Sequence, residues 1–159
     1  MSGRGDRAVG VNFAMFVTLT VLISITPYSI DAALPGLPSA VDELGVSPST
    51  MQLSISTFLV GVAVGQLVFG PLSDRLGRRM PLIVGVAVAA AAAVVAALAP
   101  GAEVLIAARL VQGLAASAAS ALGKAITRDR TSGRETTDVL AMTAVGAGVL
   151  NLISPVIGG

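Results

Sequence analysis

Two mainly apolar runs, Met51 to Phe69 and Leu82 to Leu98, are separated by Gly70-Pro71-Leu72-Ser73-Asp74-Arg75-Leu76-Gly77-Arg78-Arg79, which crowds four charges and two glycines into one short stretch. Each run approaches the roughly 20 residues that a helix needs to cross a hydrocarbon core about 30 Å thick. Inside such a core every backbone N–H and C=O must be satisfied within its own segment, so each run is restricted to a helix. The charged stretch is then a tight loop at the membrane edge, where the chain reverses direction. Three arginines in so short a loop mark its side as cytoplasmic.

Composition agrees, with 54% apolar and only 12% charged residues, where soluble domains carry about 25% charge. The chain reads as an all-α membrane protein in contact with the lipid bilayer. It has no cysteine and no histidine. A disulfide framework, thiolate metal sites and the usual neutral-pH switch are thereby excluded, so any proton chemistry falls to carboxylates. No Ser-His pair, HExxH motif or acidic metal cluster occurs, so neither an enzyme nor a cofactor is expected, nor a nucleic-acid partner.

Residues 1 to 10 are polar and carry Arg4 and Arg7, and an apolar run then extends from Val11 to Ile30. That run exceeds the about 7–15 residues of a signal-peptide core. A first span is predicted over 11–34, kinked at Pro27 and containing one formal charge, Asp31. Pro35, Gly36 and Pro38 stop it, and Asp42 and Glu43 lie in an outside loop free of Lys and Arg. A second span over 50–72 is capped by Ser49 or Thr50 and carries Gly61-x-x-x-Gly65, a small-residue face for close packing. A third over 80–99 is alanine-rich. The fourth, over 102–124, opens with Glu103 and holds Arg109, and a Gly-rich fifth covers 139–159.

The ten Lys and Arg residues divide unevenly: two at the amino terminus, three between the second and third spans, four between the fourth and fifth, and Arg109 within a span. None falls in an outside loop, which places the amino terminus inside.

Arg109 stands in Leu105-x-x-x-Arg109-x-x-Gln112-Gly113. A guanidinium at membrane depth either snorkels to the interface or faces the bundle interior and finds a partner there. Asp31 poses the same choice between a solvated and a buried carboxylate. Seven residues inside their helix ends, taken as Pro38 and Ala102, both would lie about 10 Å deep. They are expected to pair and to titrate together, since burial raises a carboxylate pKa and a neighbouring arginine lowers it.

The charged loop resembles the signature between helices two and three of the major facilitator superfamily, G-x-L-[A/S]-D-[R/K]-x-G-[R/K]-[R/K]. Gly70, Leu72, Ser73, Asp74, Arg75, Gly77, Arg78 and Arg79 match it. The Arg109, Gln112 and Gly113 spacing resembles that family's fourth-helix motif. Ser154-Pro155-Val156-Ile157-Gly158-Gly159 resembles its fifth-helix antiporter motif, with Pro155, Gly158 and Gly159 matching and Ser154 in place of a glycine. Gly61-x-Ala63-x-Gly65-Gln66-Leu67, Arg128-Asp129 and Asp31-Ala32-Ala33-Leu34-Pro35 are similar to the bicyclomycin-resistance branch of the drug:proton antiporters.

That resemblance implies a helical transmembrane bundle holding the first five helices of a major-facilitator-type transporter in a bacterial cytoplasmic membrane, and a missing carboxy-terminal half as partner. It further implies proton-coupled export of small drug-like molecules by alternating access, with Asp74 latching one conformation and with Asp31 and Arg109 coupling the proton. A different class of reading is a non-transporting half-bundle that acts as a structural or regulatory partner.

Overall fold

The computed structural model describes residues 12 to 158, with the side chains of residues 37 and 153 to 158 left aside. It contains six helices: α1 (Phe13–Asp31), α2 (Leu37–Leu44), α3 (Pro48–Leu76), α4 (Arg79–Ala97), α5 (Ala102–Arg130) and α6 (Arg134–Gly158). No strand occurs among the described residues.

The additional helix, α2, lies where an outside loop is predicted. Pro38, which reads as a helix stop, instead sits in the first turn of α2, where its missing N–H is no loss. The helix ends at Gly45, whose φ of 60° is left-handed. The same logic begins α3: Pro48 lies in its first turn and Ser47, which precedes the expected caps Ser49 and Thr50, accepts from the Thr50 N–H at 3.2 Å. Helix α1 in turn ends at Asp31, short of residue 34.

Both α3 and α5 are longer than their hydrophobic stretches. Each runs 29 residues, or about 43 Å, against a hydrocarbon core of about 30 Å. Lys124, Arg128 and Arg130, predicted in a loop, therefore lie on the last turns of α5, where cations also suit the helix dipole. Helix α3 likewise continues through Pro71 to Leu76. The reversal into α4 is left to Gly77 and Arg78 alone. Gly77 takes φ 80° and ψ 158°, a region that is essentially glycine-only and costs other residues about 1–3 kcal/mol. Gly77→Ala is accordingly expected to lower detergent-solubilised stability by that amount, read as a fall in melting temperature. Gly70→Ala, with open space around its Cβ position, serves as the neutral comparison.

Helix α5 is the centre: α3, α4 and α1 pack around it, and α6 packs against α1. Six consecutive residues, Ala115 to Ser120, are buried, so α5 is enclosed on nearly every side at mid-length. Small residues make this possible. A side chain at Gly61 or Gly65 would strike the α5 backbone at Leu110 and Leu114, and one at Gly113 would strike the Phe58 carbonyl of α3. Ser117, Ser120 and Thr127 are buried and return their hydroxyl hydrogens to carbonyls three or four residues earlier.

The large apolar side chains point the other way. Leu67, Leu98, Val145 and Leu152 are all more than two-thirds exposed, an arrangement that water would oppose and lipid tails accommodate. Four helices, α1, α3, α4 and α5, are long and apolar enough to cross a membrane. The fifth expected span corresponds to α6, whose 25 residues open with Arg134, Glu135 and Asp138 before the apolar part begins at Val139.

Candidate functional site

Polar groups gather at the two ends of the bundle. At the end where α1 and α4 finish and α3 and α5 begin, a cleft of about 610 Å³ opens among α1 to α5. Tyr28, Ser29, Glu43, Ser54, Arg109 and Gln112 supply its polar lining. Arg109 is half-buried on the second turn of α5. Its Nη1 donates to the Ser29 carbonyl at 3.3 Å and to Gln112 Oε1 at 3.2 Å. Gln112, one turn along, is itself buried at 7% exposure, so its amide oxygen is held at the guanidinium instead of being hydrated.

Arg109 thus meets two neutral acceptors and no carboxylate. The expected ion pair with Asp31 is not formed: the two ion pairs among the described residues both involve Arg78. Asp31 and Arg109 are at neighbouring levels, because Ser29 lies two residues before Asp31. Tyr28, Ser29, Ala32 and Ala33 of that segment line the cleft, however, and Asp31 does not. At about 100° per residue, Asp31 is turned about 160° from Ser29 and Ala33 but only about 60° from Tyr28, so it flanks the cleft-facing side of the α1 terminus. It is half-buried and is the last residue of α1 rather than two turns inside it.

At the other end Arg78 joins three elements. Its Nε donates to Asp129 Oδ2 of α5 at 2.9 Å, while Nη1 reaches Asp74 Oδ1 at 3.2 Å and Ser73 Oγ at 3.0 Å on α3. Ser73 is fully buried and donates in turn to the Gly70 carbonyl at 2.8 Å. Arg78 is the N-cap of α4, a poor place for a cation beside the positive end of a helix dipole, and the two carboxylates offset that. The side chains of Asp74 and Asp129 are 65% and 53% exposed, so each pair contributes only about 0–1 kcal/mol. The tie is geometrically specific and energetically cheap to open.

The other loop residues divide by role. Gly77 provides the turn, Gly70 faces open space, and Arg75 closes α3 on the favourable side of its dipole. Arg75 and Arg79 are exposed and form no ion pair among the described residues. In the fourth-helix motif Gln112 holds Arg109, whereas Gly113 acts sterically against Phe58. Pro155 and Gly158 lie in the last turns of α6, and Gly159 is outside the described residues. Asp129, the acceptor that ties α5 to the loop, is absent from the sequence-based site. Arg128-Asp129 was its only signal, and hydropathy places that pair beyond the end of the helix.

The family model of the Major Facilitator Superfamily matches residues 12–159, nearly the whole chain. The chain belongs to the Major Facilitator Superfamily. Among similar facilitator proteins, YdgK of Bacillus subtilis (strain 168), an uncharacterized MFS-type transporter, is 38% identical over 92% of this chain and 36% of its own length. A chloramphenicol resistance protein of Pseudomonas aeruginosa is 40% identical over 76% of this chain and 30% of its own. A bicyclomycin resistance protein homolog of Haemophilus influenzae is 32% identical over 92% of this chain and 37% of its own. The chain spans about a third of the length of these curated relatives. Membership of this transporter superfamily makes the chain a multi-pass membrane protein and sets it apart from enzymes.

Proposed function

We propose that this chain is the amino-terminal part of a proton-coupled exporter of small, amphipathic, drug-like molecules that works by alternating access. The observation that carries the reading is Arg109, half-buried beside the buried Gln112 at the cleft among five helices and matched by no carboxylate among the described residues. Intramembrane charge is costly and is retained where it acts on a substrate or a proton. The relatives named for resistance to chloramphenicol and bicyclomycin support the substrate class. Asp31 is the exchangeable acid in this reading, and the Arg78 tie at the opposite end is the latch.

One exposed face of α3 carries Gln52, Ser56 and Gln66 interleaved with Leu59 and Ala63, three polar side chains that lipid alone would not satisfy. A carboxy-terminal half would cover or face it. By itself, the stretch 1–159 is then a half-bundle that moves nothing, since no partner repeat remains to rock against.

The test is export of ethidium, a lipophilic cation, from proteoliposomes holding the transporter with both halves. An imposed gradient, acid on the side opposite the Arg78 loop, is expected to drive export, and a protonophore is expected to stop it. Export indifferent to the protonophore refutes the coupling. Asp74→Asn leaves Arg78 with Asp129 as its one carboxylate partner and removes a contact of about 1 kcal/mol. Export should fall about fivefold at unchanged membrane insertion. Unaltered export at equal expression removes Asp74 from the latch.

A further inference from the structure

A second cleft at the Arg78 end lies between α4 and α5, beside the Arg78–Asp129 tie. It measures about 420 Å³ and is lined by Arg78, Arg79, Leu82, Ile126, Asp129 and Arg130. We propose that this cleft seats the headgroup phosphate of an anionic phospholipid.

Charge is the first argument. Three guanidiniums face one carboxylate, and that carboxylate is already engaged by Arg78 at 2.9 Å. Arg79 and Arg130 are exposed, and neither makes a hydrogen bond or ion pair among the described residues. Two arginine forks held on different helices beside one hollow are suited to a phosphate, which each can grip through paired N–H groups.

The walls are the second argument, and they select a lipid over a free anion. Leu82 and Ile126 form the apolar part of the cleft. On α4 the outward apolar surface continues beside it through Met80, Ile83 and Val84, all more than half exposed. The guanidiniums therefore stand where the apolar run begins, with phosphate-level charge above and acyl-chain surface alongside. Basic pockets between helices at a membrane face bind anionic headgroups by this combination.

The experiment is native mass spectrometry of the full chain in mild detergent, titrated with phosphatidylglycerol or phosphatidylcholine. Phosphatidylglycerol is expected to be retained preferentially. With each surface cation contributing about 1 kcal/mol, the Arg79→Gln/Arg130→Gln double variant should bind it about thirtyfold more weakly. Arg79→Lys/Arg130→Lys should keep most of the binding at unchanged melting temperature. Arg128→Gln/Arg134→Gln makes the same change in net charge outside the cleft and should have no effect. Equal loss in both glutamine variants, or none in either, overturns the site. Retention of inorganic phosphate in preference to phosphatidylglycerol at equal concentration would identify a site for a free anion and overturn the lipid assignment.

Discussion

Gly113→Val is expected to disrupt the bundle, while Gly148→Ala is expected to stabilise it, although both replace a glycine inside a helix. Helix propensity alone favours both changes, by up to about 1 kcal/mol for alanine. Packing gives them opposite signs. A Cβ at residue 113 would overlap the Phe58 carbonyl oxygen, with the Phe58 carbon and Cα only 2.8 and 3.1 Å away, whereas residue 148 has open space. The obstacle is α3 backbone, which has no rotamer to change. Relief requires α3 to move outward, which also opens the contacts of Gly61 and Gly65 with α5. Overpacking against yielding side chains costs about 1–3 kcal/mol, so a clash with backbone should cost at least about 3 kcal/mol. The measurement is melting temperature and monodispersity in detergent. Gly113→Val that melts like the parent would show that α3 and α5 are not held by this crossing.

The α3–α5 crossing was half legible. Gly61-x-x-x-Gly65 announces a close approach from sequence, but Gly113 reads as part of a polar motif beside Gln112, because spacing cannot say which neighbour presses on a glycine. The helical bundle was legible for a plain reason: hydrocarbon permits few alternatives to a helix. Helix ends were less so. Hydropathy registers where lipid is, and a helix does not stop at that boundary, so the last turns of α3 and α5 and the acid Asp129 are read as loop. Pro38 misled in a related way, since a proline signals a helix start as well as a stop. Asp31 shows the limit of depth arguments. Its level beside Arg109 follows from counting residues, but the side of α1 on which it falls depends on where the helix ends and the turn over residues 32 to 36 begins.

Arg109→Gln should separate stability from transport. The guanidinium has two neutral acceptors and no counter-charge, so burying it draws on the stability of the bundle. A neutral glutamine removes that cost, and melting temperature is expected to hold or rise. Transport should move the other way. Hydrogen bonds from a charged donor contribute about 1.5 kcal/mol each at the low end. The bond to Ser29 joins α1 to α5 in the conformation that presents this cleft, while the bond to Gln112 lies within α5 and orients the guanidinium. If the Ser29 bond is absent from the alternate conformation, losing it shifts that equilibrium by about 1.5 kcal/mol, or about tenfold. Export should fall by a comparable factor. Arg109→Lys keeps the charge but its shorter side chain ends before the Nη1 position that reaches Ser29 and Gln112 together, and should recover only part of the activity. Gln112→Leu, which removes one acceptor, should fall between Arg109→Lys and the parent. A stable Arg109→Gln variant that still exports at the parent rate would reduce Arg109 to a packing residue and leave Asp31 to carry the coupling without it.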